Sequence, residues 1–388
     1  MSSIYEKRGV SAQKEEVHAA TAGLDRGLFP GAFCHGYPDP LDPRGDGVLL
    51  HHADGAGTKS SLAWLYWKET GDLSVFRGIA QDAVVMNTDD LLCVGAVDGF
   101  LLSSTIGRNK RLVPGEVLRE IIHGTQACVE LLNEHGCRTT FAGGETADVG
   151  DLVRTLIVDA NITARLPRAR FIDTARICPG LAIVGLASFG QAKYESAYNS
   201  GIGSNGLTAA RHEVFHHDYF AKYPESVDPG LPENVLYQGA HRLTDALTGT
   251  PLDWGRAVLS PTRTYLPIVR AMLKEHAHAI LGIIHCSGGG QTKCLKFGQR
   301  LRYIKDNLFP LPPLFAELKA RVPERDFWQV WNGGHRLEIY CDPRRADELI
   351  QIASSFGVEG RVVGRTEDAP ENSLHLKYGG VETHYPGR

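Results

Sequence analysis

The 388-residue sequence has no apolar run near the eighteen or so residues that a membrane-spanning helix requires. It has almost no charge imbalance. Its 41 Lys and Arg against 45 Asp and Glu give a net charge of −4, so composition implies neither nucleic acid nor an anionic membrane as partner. There is no Cys-x-x-Cys pair. The eight cysteines (34, 93, 128, 137, 178, 286, 294 and 341) are scattered, and Cys93 and Cys128 fall within apolar patterns where a reduced thiol packs as a small hydrophobe. Residues Met1 to Arg8 lead into a charged amphipathic stretch rather than a signal-peptide core. Internal repeats and low-complexity segments are missing too. The expectation is a reduced, cytoplasmic protein, and the length predicts two domains.

Helices and strands alternate along the chain, which predicts an α/β or mixed α+β fold. An amphipathic helix is expected around Ser11–Asp25, followed by a Gly/Pro-rich irregular or mobile connection from Leu28 to Gly47. Strand Val48–His52, helix Gly78–Val94, strand Val97–Ser104, a helix opened by Pro114 and ending at Gly136, and strands Thr139–Ala142 and Arg154–Thr163 complete a first domain. The Arg165–Gly180 segment carries two prolines and four arginines with little periodicity. It places the boundary between domains 1–168 and 175–388. Leu181–Ala187 opens the second domain. Residues 213–256 read as a long excursion, and Arg336–Cys341, Ala346–Phe356 and Arg361–Val363 spell strand, helix, strand.

Residues 51–59 read His-His-Ala-Asp-Gly-Ala-Gly-Thr-Lys. Such a loop can hold a divalent metal on Asp54 while Gly55, Gly57, Thr58 and Lys59 face a polyphosphate. It is not a Walker A loop, because Thr58 separates Gly57 from Lys59. The competing reading is a polar turn after a strand, with Lys59 opening a helix. Asp82 and Asp90 lie eight residues apart on a mostly apolar helix. Eight residues advance about 800°, which puts both acids on roughly one face. Buried acids need a cation or hydrogen-bond donors. Glu145 follows Gly143 and Gly144 just after a strand. These four acids converging on one cleft beside Lys59 would make an all-oxygen Mg²⁺ site for ATP phosphates.

Two other patterns read as coincidences. Gly201-Ile-Gly203-Ser-Asn-Gly206 matches the dinucleotide fingerprint, but a polar stretch precedes it instead of a strand. His212-Glu213-Val-Phe-His216 matches the zincin pattern without a third ligand, so solvated helix-end histidines are expected.

Taken together, the motifs resemble the aminoimidazole ribonucleotide (AIR) synthetase family, also called phosphoribosylformylglycinamidine cyclo-ligase or PurM. Asp54 to Lys59 is similar to that family's Asp-Gly-Val-Gly-Thr-Lys. Asp82 to Ala96 resembles its Asp-x₇-Asp-Leu-Leu-x-x-Gly-Ala helix, and Gly143-Gly-Glu-Thr-Ala147 repeats its Gly-Gly-Glu-Thr-Ala. Ser204-Asn-Gly206, Ser260-Pro-Thr-Arg-Thr-Tyr265 and His285-Cys-Ser-Gly-Gly-Gly290 continue the series in the family's order.

The resemblance implies an N-terminal α/β domain that pairs across a homodimer into a β-barrel, and a C-terminal α/β domain with a mixed sheet. It implies ATP and Mg²⁺ as cofactors and a ribonucleotide as substrate. The implied reaction is cyclisation of formylglycinamidine ribonucleotide to aminoimidazole ribonucleotide in purine synthesis. In that reading Lys59, Asp90 and His285 are catalytic, and Asp54, Gly55, Gly57, Thr58, Lys59, Asp82, Gly143 and Gly144 bind ATP. Asp54, Asp82, Asp90 and Glu145 hold the metal. Ser204, Asn205, Gly206, Thr262, Arg263, Gly288, Gly289 and Gly290 bind the substrate, although Arg263 could instead hold the domains together.

Departures from the family pattern point to a divergent branch. The N-terminal glycine loop, Gly27 to Phe33, is short. Trp331-Asn-Gly-Gly-His-Arg-Leu337 puts Arg336 where the family's backbone is open, and Asp89 replaces an asparagine, adding charge to the expected metal face. The 213–256 excursion is longer than usual. Other readings are a selenophosphate synthetase or thiamine-phosphate kinase type of enzyme, or a non-catalytic nucleotide-binding dimer.

Overall fold

The structure is a computed structural model that describes residues 7–10, 15–21 and 23–387. Of the helix expected around Ser11–Asp25, Glu15–Thr21 is present, while residues 11–14 and 22 lie outside the described residues.

Five strands form a first sheet: β1 (Tyr37–Pro38), β2 (Gly47–Gly55), β3 (Phe100–Arg108), β4 (Thr139–Asp148) and β5 (Leu156–Pro167), in the order β1-β2-β5-β3-β4. Only β3 and β4 run parallel. The two-residue period of β5 sends Val158, Ala160, Ile162 and Ala164 into the core, while Ile157, Asp159, Asn161 and Thr163 face outwards. The Val75–Leu92 helix covers the inward face at β2 and β5, and the Gly115–Glu134 helix packs on it. Gly124 permits that close crossing, since a Cβ there would lie 2.7 Å from the Arg77 Cα. The other face of the sheet is open, with Leu101 52% and Ile157 39% exposed.

The second sheet contains β6 (Ala182–Ala187), β7 (Ile280–His285), β8 (Leu301–Lys305), β9 (His335–Cys341), β10 (Gly360–Asp368), β11 (Ser373–Tyr378) and β12 (Val381–Pro386). Its order is β12-β11-β8-β10-β6-β9-β7, mixed in direction. Every residue of β6 and β9 is buried; β6 is apolar throughout, whereas β9 carries His335, Arg336 and Glu338, whose burial requires partners. The mixed α/β class expected from the sequence is therefore present as two mixed sheets.

The Leu28–Gly47 connection is irregular but well packed. Phe29 stacks on Phe171 at 4.0 Å, and Ala32 and Cys34 are buried. The 213–256 excursion also folds back as packed structure, with Tyr219, Leu236, Tyr237 and Leu243 in the core. It corrects the expectation of solvated histidines for His212, while His216 remains partly exposed. His212 is fully buried, accepts the Tyr237 N–H on Nδ1, and sits beside a Glu213 held by Arg8 at 2.6 Å. The zincin pattern is thus consumed by packing.

Candidate functional site

The Asp54 loop leaves β2 and enters the Lys59–Thr70 helix. Thr58 Oγ1 lies 2.9 Å from the hydroxyl of Thr208, in the first turn of the helix that follows Ser204-Asn205-Gly206. A Cβ on Gly288 would sit 3.4 Å from Asn205 Oδ1. Loops from three parts of the chain therefore meet: the Asp54 loop, the Ser204–Gly206 turn and the Gly288–Gly290 turn. Gly290 has to be glycine, because at φ 50° a Cβ would be 2.6 Å from the carbonyls of both Trp328 and Trp331.

Several expected ligands are occupied elsewhere. Lys59 does not face a phosphate site. It is fully buried, and its ammonium donates to Asp82 Oδ1 (2.9 Å), Gly203 O (3.1 Å) and Ser260 O (2.5 Å). All three of its donors are used. Burial pulls its pKa below the ordinary lysine value against the opposing pull of Asp82. Asp82 Oδ1 also accepts the Thr262 N–H and hydroxyl at 2.7 and 2.6 Å, and Ser204 Oγ reaches Thr262 Oγ1 at 2.9 Å. Thr262 therefore bridges buried acid and loop rather than facing substrate. Arg263, also buried, is spent on Glu195 and the carbonyls of Ala187 and Phe189. These acceptors all lie between residues 187 and 195, so it braces the second sheet's surroundings instead of reading a ligand.

The four acids do not share one ion position within a chain. Asp82 and Asp90 occupy the same side of their helix, but eight residues also advance about 12 Å along its axis. Asp54 and Glu145 are separated by the sheet itself. Asp54 is in register with Ala160, Ser104 and Gly144, whereas Glu145 is in register with Thr105, Asp159 and Gly55. Neighbouring rows point to opposite faces, and β2 and β4 are three strand spacings, roughly 14 Å, apart. Asp54 faces the covered side with His52. Glu145 stands exposed on the open side of edge strand β4. The donor set expected for Mg²⁺ does not fit a single chain.

Around Asp90 the structure builds something the sequence reading missed. His285 Nδ1 lies 2.6 Å from Asp90 Oδ1, and His52 Nε2 lies 3.3 Å from Asp90 Oδ2. Arg336 Nε donates to His285 Nε2 at 2.9 Å, and Cys34 Sγ reaches the Asp90 carbonyl at 3.3 Å. Burial would push the Asp90 carboxyl up, but hydrogen bonds from His285 and His52 hold it well below the usual range. Burial also lowers His285, and the Asp90 contact only partly offsets this. For His52 burial again acts downward, yet the contacts with Asp90 and Asn87 prevail and its pKa is raised. His285 has both ring nitrogens engaged, so it anchors Asp90 rather than standing ready to shuttle protons.

Asp89 points away from this cluster, correcting its expected place on a metal face. It accepts from Thr264 Oγ1 and the Tyr265 N–H, and Arg336 Nη2 is 3.6 Å away. Burial raises its pKa to about 7. The two departures from the family pattern, Asp89 and Arg336, thus meet each other. Of the missed residues, His52 carried a signal, since it shares the face of β2 with Asp54 by the period of two. Cys34, in an irregular segment, carried none. A cavity of about 470 Å³, lined by Gly78, Gln81, Gly124, Tyr198 and Pro261 among others, contains none of the expected site residues.

Comparison with known proteins agrees with this architecture. Residues 38–165 match the family described as AIR synthase related protein, N-terminal domain. A phosphoribosylformylglycinamidine cyclo-ligase of Methanocaldococcus jannaschii is 26% identical over 335 residues, 84% of this chain and 80% of that protein. Its counterpart from Gloeobacter violaceus is 29% identical, covering 88% and 86%. The N-terminal part of this chain thus matches the AIR synthase-related family, and most of the chain's length is similar to named cyclo-ligases. Its fold is also that of T. maritima PurL in a structure complexed with FGAR, at a TM-score of 0.57, 14% identity and 97% coverage of this chain. The same PurL complexed with ADP superposes at 0.53 with 13% identity, over 99% of this chain and 52% of PurL. This chain spans about half the length of PurL. Among the described residues, no helix is long and apolar enough to cross a membrane.

Proposed function

We propose that this chain is an ATP-dependent cyclo-ligase that converts formylglycinamidine ribonucleotide to aminoimidazole ribonucleotide, ADP and phosphate. The observation that carries the reading is the meeting of the Asp54, Ser204–Gly206 and Gly288–Gly290 loops, in a chain whose relatives over most of its length are named cyclo-ligases. The ADP and FGAR complexes of T. maritima PurL support a nucleotide and a ribonucleotide as ligands.

The chemistry has two parts. An amide oxygen is a poor leaving group, so phosphorylation of the formyl oxygen activates the carbon. The amidine nitrogen then attacks it, and phosphate departs as the ring closes. Phosphoryl transfer mainly requires alignment and charge neutralisation. Gly55, Gly57 and Thr58 offer backbone and hydroxyl donors to ATP. Ser204, Asn205, Gly206, Gly288 and Gly289 offer short donors to the substrate phosphate. Asp90, oriented by His285 and His52, is the carboxylate placed to act on a bound ligand. Because the four acids do not gather in one chain, no step is assigned to Mg²⁺. Gly143, Gly144 and Glu145 lie on edge strand β4. A homodimer that closes the open faces into a barrel would bring them to an enclosed nucleotide.

Purified protein given formylglycinamidine ribonucleotide, ATP and Mg²⁺ should form aminoimidazole ribonucleotide, detected by its diazo colour. ADP release on another small molecule, with no such product, overturns the reading. Asp90→Asn should lower turnover by at least about tenfold without loss of fold, and unchanged turnover removes Asp90 from the site.

A further inference from the structure

Cys34, His52 and Asp90 bring a thiol, an imidazole and a carboxylate together, with one potential ligand atom of each within 4.8 Å of the others. The surrounding hydrogen bonds determine which atoms are on offer. The Asn87 side-chain nitrogen is directed at the carbonyls of Ala83 (2.8 Å), Asp54 (3.1 Å) and Ala160 (3.1 Å). Asn87 Oδ1 is therefore an acceptor, and the His52 Nδ1 that it meets at 2.8 Å carries a proton. The lone pair of neutral His52 then lies on Nε2, directed at Asp90 Oδ2. Across the carboxylate, Arg336 can only donate to His285 Nε2, so His285 Nδ1 carries its proton to Asp90 Oδ1. Two electron-pair donors, His52 Nε2 and Asp90 Oδ2, face each other across 3.3 Å. They need a cation between them or a proton on His52.

We propose that Cys34 Sγ, His52 Nε2 and Asp90 Oδ2 bind a zinc-class divalent transition ion, with a fourth position open to water or ligand. Metal-bound histidines characteristically donate their other ring N–H to an oxygen, and ligating carboxylates are themselves hydrogen-bonded. Asn87 and His285 supply these two contacts. A sulfur–nitrogen–oxygen set selects zinc-like ions over Mg²⁺, which takes oxygen ligands. Tetrahedral ligand distances near 2.0–2.3 Å require the widest gap in the set to close by at most about 1 Å. On binding, the Cys34 S–H bond is lost, its proton passes to solvent, and three coordinate bonds form with no change of oxidation state. This site does not depend on the cyclo-ligase reading.

The test uses the full-length protein, stripped by chelator, reduced, and titrated anaerobically with Co²⁺ and then Zn²⁺. Expected are one Co²⁺ per chain, tetrahedral d–d absorption, a near-ultraviolet thiolate-to-cobalt band, and displacement by Zn²⁺ but not by equimolar Mg²⁺. Cys34→Ser should abolish the thiolate band and weaken binding by about tenfold or more, with an unchanged urea midpoint. Among the other cysteines only Cys178 is exposed, so Cys178→Ser should leave the band intact. X-ray absorption of the zinc-loaded wild type should show one sulfur neighbour, a readout that needs no variant to fold. A missing thiolate band, a Cys34→Ser protein that keeps it, displacement by Mg²⁺, or a zinc environment without sulfur overturns the proposal.

Discussion

Arg336 Nε donates to His285 Nε2 at 2.9 Å, and through that contact a buried guanidinium sets the tautomer of the histidine that orients Asp90. The same guanidinium stacks over Tyr265, with 5.1 Å to the ring centroid, and pairs with Asp89. One side chain, absent from the family pattern, therefore links two successive aspartates that face different surroundings.

The Asp89–Arg336 pair should show as energetic coupling. Arg336→Gly leaves a buried acid without its cation and should cost about 3–5 kcal/mol in urea unfolding. The double variant Asp89→Asn with Arg336→Gly returns both positions to the family's residue types. Its loss should be smaller than the sum of the two single losses by at least about 1 kcal/mol. Simple additivity would mean that the residues are neighbours without being partners.

Lys59 should behave as a structural cation. Lys59→Met strands buried Asp82 and is expected to destabilise the fold by about 3–5 kcal/mol. Nucleotide affinity of the protein that remains folded, measured by equilibrium dialysis, should fall less than about threefold, because the loss of a buried contact acts on folding. A hundredfold loss would return Lys59 to the phosphates.

Glu338 gives a pH signature. Lys305 at 2.5 Å and His335 at 3.0 Å hold its buried carboxyl at about 2, against desolvation that acts in the opposite direction. A depressed carboxyl stabilises the fold above its unfolded pKa of about 4.3 and loses that contribution as pH falls towards 2. Wild-type urea midpoints should therefore drop through this window. Glu338→Gln should be less stable at pH 7, by roughly 3–5 kcal/mol, and should lack this part of the acid dependence.

The open face of the first sheet is expected to be an interface between two copies. Leu101→Lys, at a position 52% exposed in the single chain, should shift sedimentation from dimer to monomer while the circular dichroism spectrum stays unchanged. A wild-type protein that sediments as a monomer at all concentrations would refute the barrel.

Much of the element order was legible in the sequence, because apolar periodicity and turn residues are local. The helix predicted at Gly78–Val94 is Val75–Leu92, and the one opened by Pro114 is Gly115–Glu134. Strand lengths were less legible. The strand expected at Thr139–Ala142 extends to Asp148, since pairing with β3 sustains a polar, glycine-containing stretch that periodicity alone would end. The ordered motifs were legible too, but the meeting of the Ser204 and Gly288 turns with the Asp54 loop is a tertiary contact that no short window holds. The grouping of acids was not legible either. Helical angle put Asp82 and Asp90 on one face but ignored the rise between them, and strand pairing decides which face Glu145 takes.

The sequence by itself determined the residue types, their periods and the family they resemble, all of which are properties of short windows. Only the tertiary structure decided which charges find partners. Lys59 took Asp82, Arg336 took Asp89, and Asp90 was left between two histidines beside a thiol 56 residues away in the chain. The physical reason is desolvation. Each buried charge must be compensated by whatever group the packing brings within hydrogen-bond reach, and chain separation does not enter that requirement.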